Sequence, residues 1–367
     1  MKKENKYSSV HYNNYLELDK ILNSQNLRSV ALGEPAHEEM LFIITHQVYE
    51  LWFKQINHEL YSVRDLLAID DVDEKNLIYL VNRLDRVICI QGLLFDQIKV
   101  METMTPTDFL DFRNYLFPAS GFQSFQFREL EVLMGLKKES RHTYNNAPYM
   151  VVFDENKKEK LENLEESKSL LDLVNDWLER IPFLKMDHFD FVKEYKKAVL
   201  AMIEKERKAI LETDVLTDEY KQMRIKMLGD TDTFFANVLD ENVHNQMRAE
   251  GKVKLSYKAT LSALFINLYR DQPILQMPFQ FLNKLAEIDE NLTTWRYRHA
   301  QMVLRMLGKK IGTGGSSGHE YLATTAAKHL IFSDLHNLST LFIPRSELPV
   351  LPDALVRDLG FYYDNPM

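Results

Sequence analysis

The 367-residue chain is poor in the residues that punctuate or staple a fold: one cysteine, 12 glycines and 11 prolines. The lone Cys89, inside the apolar run Val87-Ile88-Cys89-Ile90, excludes a disulfide within the chain and reads as a buried thiol in a reducing compartment. So few turn residues disfavour an all-β architecture. No apolar run approaches the roughly 18–20 residues that span a bilayer. Positive charge is not in excess either. Lys and Arg total 45 against 54 Asp and Glu, and a net charge of −9 repels nucleic-acid phosphate and anionic membrane. The opening segment MKKENKYSSVHYNN has no apolar centre of the kind a secretory signal carries, so a cytoplasmic location is expected. Internal repeats and low-complexity blocks are absent.

What the chain does have is helix-forming apolar periodicity. Hydrophobic residues make up 45%, with 21 Phe, 17 Tyr and 15 Met. Over Glu38–Leu67, Phe42, Tyr49, Phe53, Ile56, Leu60, Val63 and Leu67 recur at three- and four-residue steps, the spacing of one buried helix face. Glu74–Glu102 and Gln276–Lys309 carry comparable long patterns, and a last helix is expected from about His319 to Leu341. A short amphipathic helix is expected in HYNNYLELDKILNSQNL. The expectation is an all-α protein, one domain over residues 1–367. It comprises a large helical bundle and a smaller helical protrusion at about 205–250.

Two histidines interrupt apolar helix faces. His46 follows Phe42 by one turn and precedes Tyr49 and Phe53; it fits a core histidine, a metal ligand or a pocket hydrogen-bonding group. His299 sits between Trp295 and Met302, Val303 and Met306. One imidazole on a flat apolar face suits an axial haem ligand, because a porphyrin needs apolar walls and one neutral nitrogen donor; a core histidine fits as well. There is no C-x-x-C-H for covalent haem and no H-E-x-x-H for zinc. Arg113, among Phe109, Phe112, Tyr115 and Phe117, would bind a carboxylate if desolvated, and otherwise reads as a snorkelling arginine. The loop GTGGSSG (Gly312–Gly318) lacks the P-loop lysine and follows a helix, so it reads as a flap whose Thr313 hydroxyl can reach a ligand.

Taken together, YNNYLELDKIL, EEMLFIITHQVYELWFKQ, DFLDFRNYLFPASGFQSFQFRELE, WRYRH, GTGGSSGHEYL and DLHNLSTLFIPR make the chain resemble the tryptophan 2,3-dioxygenase family nearly end to end. The resemblance implies an α-helical homotetramer with one noncovalent haem b per subunit. It also implies oxidation of L-tryptophan by O₂ to N-formylkynurenine, the first step of the kynurenine pathway. By motif position it makes His299 the iron ligand, with Trp295 and Ser120 in the haem pocket. It puts His46 opposite the indole N–H, Phe42 on the indole ring, and Arg113 and Thr313 on the carboxylate and ammonium. Tyr12 and Tyr15, on an arm of residues 1–22, would reach a neighbouring subunit's pocket. The chain departs from the pattern at Asn13-Asn14, at Arg298, and at Phe109, which stands where some relatives carry a tyrosine. A monooxygenase of the same fold and a haem sensor without turnover are the alternatives; Arg113 and Thr313 together argue for an amino-acid substrate.

Overall fold

The computed structural model describes residues 9–69, 74–137, 149–186, 189–308, 310 and 318–361. Its elements are helical apart from a two-residue antiparallel ribbon pairing Lys185–Met186 with Phe189–Asp190. Three short helices come first: α1 (Tyr12–Leu16), α2 (Leu18–Leu22) and α3 (Arg28–Ala31). The single amphipathic helix expected at the start is split, because Glu17 adopts a left-handed φ of 51° and its N–H bonds back to the Asn13 carbonyl. Such a left-handed residue closes one helix before the next begins.

Next come α4 (Glu39–Leu67), α5 (Leu77–Met101), α6 (Pro106–Arg113), α7 (Phe125–Met134), α8 (Glu155–Glu166) and α9 (Leu170–Glu179). They are followed by α10 (Phe191–Glu212), α11 (Asp218–Val238), α12 (Glu241–Ala249) and α13 (Tyr257–Leu268). The chain closes with α14 (Gln276–Leu307), α15 (Gly318–Lys328), α16 (Ser333–Asn337) and α17 (Asp353–Asp358). Helix α14 packs along α5 and α15, and α4 packs along α5 and α7. Phe53, Ile56, Leu60, Val63 and Leu67 of α4 are buried, as their periodicity requires, and the core they join extends through α5, α7, α9, α10, α13 and α14. Phe42 and Tyr49, about one and three turns into α4, are only partly buried, because that end of the helix borders a cavity. In α11, by contrast, the only buried residues are Leu228 and Phe235.

Two expectations fail. Cys89 is exposed: α5 buries Val87 and Ile90, and a residue two beyond Val87 points about 200° around the helix. The last helix does not run to Leu341 but stops at Lys328, and a short turn leads into α16. No Gly or Pro breaks it. Asp289 of α14, fully buried, accepts the backbone N–H of Ile331 at 3.0 Å and of Phe332 at 2.8 Å. Lys254 Nζ donates to the Leu330 and Ile331 carbonyls. Side chains from distant segments thus satisfy the backbone groups that a continued helix would have paired. Hydrogen bonds to a charged acceptor stabilise by roughly 1.5–3 kcal/mol each, so Asp289→Ala, which removes two, should lower the unfolding free energy by roughly 3–6 kcal/mol. Removing the half-exposed Asp85, paired with Lys284 at 2.8 Å, should cost about 1 kcal/mol or less. Urea unfolding of the two variants checks the contrast.

Candidate active site

A cavity of about 290 Å³ opens between the first half of α4, α6, the Ser120–Ser124 turn, α7, the end of α14 and α15. That is far more than the ~15 Å³ a single water needs, so the space suits a sizeable ligand. His46 and His299 both line it, on separate helices, and so do Phe109, Arg113, Ser120 and Trp295. The structure therefore collects on one cavity residues that lie up to 253 positions apart, from His46 to His299.

The tautomer of His46 is set by its own helix. Its Nδ1 lies 2.7 Å from the Phe42 carbonyl oxygen, so Nδ1 carries the proton and donates it. That leaves Nε2 as an acceptor lone pair. Burial among protein atoms pushes the imidazole pKa down, partly offset by the Phe42 hydrogen bond. His299 is lowered to about 4, by burial first and by the His46 imidazole second. It is neutral at ordinary pH. Its Nδ1 is buried with no hydrogen-bond partner among the described residues. The Trp295 ring lies tilted by 31° with its centroid 5.3 Å from that of the His299 ring, and Phe127 and Phe53, 5.3 Å and 5.9 Å from Trp295, extend the aromatic wall from α7 and α4.

Phe42 stands behind the cavity wall, its ring 4.2 Å from His46 and 5.8 Å from Phe109. Arg113 ends α6, which begins at a capping box of Thr105 and Asp108 with Pro106 in the first turn. Ser120 caps the short turn after it, its Oγ accepting the Phe122 N–H at 3.4 Å. Tyr12 and Tyr15 are absent from this cavity and stand 69% and 74% exposed. Thr313 lies outside the described residues.

Sequence reasoning missed a polar wall of the same cavity. Glu131 of α7 accepts from Arg128 at 2.8 Å and from Arg296 of α14 at 2.9 Å, with His329 Nδ1 3.6 Å away, all buried. Glu50 lines the cavity too, its carboxyl pushed up by burial against a hydrogen bond from Ser124 that lowers it. The available signal was Arg296 at a buried helical position, four residues after Leu292 and four before Ala300.

The family model for tryptophan 2,3-dioxygenase matches residues 2–342. The chain belongs to the tryptophan 2,3-dioxygenase family. It is 50% identical over 352 residues to the tryptophan 2,3-dioxygenase of Alteromonas mediterranea, covering 96% of this chain and 97% of that one. The Bdellovibrio bacteriovorus enzyme is 49% identical over 358 residues, 98% of this chain and 100% of its own. The Dictyostelium discoideum one is 47% identical over 353 residues, 96% and 88% respectively.

The haem that this family implies fits the residues present. A neutral imidazole with a buried, unpartnered Nδ1 is oriented into an aromatic-walled cavity, and a porphyrin supplies the other four nitrogen ligands. Among the described residues no three His, Cys, Asp or Glu side chains converge as a ligand set for a bare ion. Because the folded-state pKa of His299 lies below its ordinary 6.5, unfolding takes up a proton as the pH falls. Its stabilising share is full above about 6.5 and is lost between there and about 4. Without haem, the urea midpoint should drop across that window, and His299→Gln should flatten part of the drop.

Proposed function

We propose that this chain is a haem dioxygenase that adds O₂ across the indole C2–C3 bond of L-tryptophan to give N-formylkynurenine. The observation that carries it is one aromatic-walled cavity lined by two imidazoles, each with its pKa lowered, and by the Arg113 guanidinium. We read His299 as the iron ligand, with Trp295 and Ser120 bordering the haem. The haem is taken as haem b, one per subunit and noncovalent, since the chain has no C-x-x-C-H. When bound, it supplies the redox chemistry that lets O₂ react with the indole.

The protein's own work is orientation and the exclusion of water. Arg113 binds the substrate carboxylate as a planar donor fork. His46 accepts the indole N–H at Nε2, the nitrogen that its bond to the Phe42 carbonyl leaves unprotonated. Phe42 backs the imidazole and limits the tilt of the indole. Phe109 gives van der Waals contact but no phenol hydrogen bond, so carboxylate recognition falls on Arg113 and on Thr313. The alternating burial of α4 supports the same reading: its core half anchors the helix and its first turns present His46.

A homotetramer in the cytoplasm completes the proposal. Helices α1 and α2 have no buried residue, although they carry Tyr12, Tyr15, Leu16 and Leu22. Helices of five residues are marginal unless packed, and a neighbouring subunit's pocket mouth is the partner we assign. Among the described residues no helix is long and apolar enough to cross a membrane.

Purified protein should be red, and L-tryptophan should give a near-ultraviolet-absorbing product only with O₂ and reductant. A colourless, inactive protein after haem loading would refute the proposal. Losing one partner of a desolvated ion pair costs about 2–5 kcal/mol, so Arg113→Ala should cut kcat/KM for tryptophan roughly thirtyfold or more. Tryptamine, without the carboxylate, should be poor for both proteins and insensitive to the change. Equal losses on both compounds would make Arg113 structural. Mixing inactive Tyr15→Ala and Arg113→Ala subunits should restore part of the activity, since some pockets then receive both native residues. No recovery after proven subunit exchange would rule out a shared pocket.

A further inference from the structure

Arg296 lies three residues before His299 on α14, so the two side chains leave the helix less than one turn apart, and both line the cavity. Arg296 is 3% exposed and does not reach solvent. Its Nη2 donates to Glu131 Oε1 at 2.9 Å, its Nη1 donates to the His329 carbonyl at 3.4 Å, and its guanidinium lies over the Phe127 ring at 5.7 Å. Glu131, 1% exposed, takes a second guanidinium on its other oxygen, from Arg128 at 2.8 Å. One carboxylate on α7 therefore joins α14 and the residue just after α15.

Such a cluster is a poor device for stability alone, because desolvating the charges offsets most of what their attraction gains. What it supplies is geometry. A planar guanidinium clamped to a carboxylate accepts few helix rotations, whereas the aromatic contacts of Trp295 with Tyr49, Phe53 and Phe127 tolerate sliding. We propose that Glu131 is a positioning residue for the iron-binding histidine: by holding Arg296 against α7 it sets the rotation of α14 at which the His299 imidazole faces the cavity. The inference rests on His299 being the ligand, as proposed above. Glu131 lines the same cavity, but both of its oxygens are taken by guanidiniums, Oε1 by Arg296 and Oε2 by Arg128, and no proton moves through it.

The test uses the haem-loaded protein and the iron–histidine stretching band of its ferrous form, which reads the strain and tilt of the ligand. Glu131→Gln leaves two guanidiniums facing a neutral amide, so Glu131→Gln/Arg296→Gln is run beside it to avoid an unbalanced buried charge. Arg296→Lys, which keeps the charge and loses the fork, is the conservative variant. A band shift or splitting is expected in the first two, with a smaller change in Arg296→Lys. Haem transfer to apomyoglobin should accelerate roughly tenfold or more, the usual consequence of losing an outer-sphere support. Glu59→Gln is the control for destabilisation alone, since Glu59 is a buried carboxylate of α4 paired with Arg86 at 2.8 Å and away from the cavity. An unchanged band in the folded double variant and in Arg296→Lys, or an equal change in Glu59→Gln, would overturn the inference. His299→Ala separates the two claims: survival of the band there overturns the ligand assignment itself. Loss of the band there, with no change on altering Glu131, overturns only the positioning role.

Discussion

Holding the His299 imidazole against an aromatic wall is the constraint on which the cavity depends; His46 lines the same cavity but keeps an exposed surface. His299 is lowered to about 4 and His46 is lowered as well, in both cases chiefly by burial. A protonated imidazole has no lone pair to offer a metal or an N–H donor, so desolvation is what makes either residue useful. The burial is cooperative across elements. Trp295 comes from α14, Phe127 from α7 and Phe53 from α4, and their rings meet within 6 Å of one another. The same dry wall strengthens any attraction between Arg113 and a carboxylate, because the effective dielectric falls with water removed.

A low dielectric also penalises every charge that is not matched, and the buried carboxylates mark where the fold meets that demand. Asp289 takes two backbone amides where the chain leaves α15. Glu131 takes two guanidiniums, one from its own helix α7 and one from α14. Glu39, fully buried, takes the amides of Arg28 and Ser29 at the start of α3, which hold its carboxyl below the usual range despite the desolvation that opposes them. Each sits where a helix starts, ends or must keep its rotation, places where apolar packing gives little direction.

This division explains what the sequence disclosed. The long helices α4, α5 and α14 were legible because a 3.6-residue period writes the buried face directly into the order of residues. His46 and His299 stood out for the same reason, as single polar groups on otherwise apolar faces, and Arg113 as a charge among aromatics. That they share a cavity is tertiary information, supplied by the way α4 and α14 pack against α5. The break after Lys328 was illegible: its cause, Asp289, lies 42 and 43 residues before the two amides it holds, and no Gly or Pro announces it. The exposure of Cys89 was misread because four apolar residues in a row suggest burial, while only two of them fall on the inner face of α5. Glu131 carried no signal beyond a charge in a helix, which is usually a solvated face.

The N-terminal arm shows how the two kinds of interaction combine. Its tip is exposed, yet its root is tied down by polar contacts: Gln25 donates to Gln47 Oε1 at 2.7 Å, and Gln47 donates in turn to the Ser24 hydroxyl at 3.2 Å. Gln47 directly follows His46 on α4, and Glu39, one turn ahead of Phe42, holds the amides of α3. The arm is thus fastened at both of these points to the helix segment that carries His46. Side-chain amide bonds fix direction without needing a buried face, which suits a segment whose apolar residues are exposed. Exposed Tyr12 and Tyr15 are thus linked to the first turns of α4 through a short polar root and not through the apolar core.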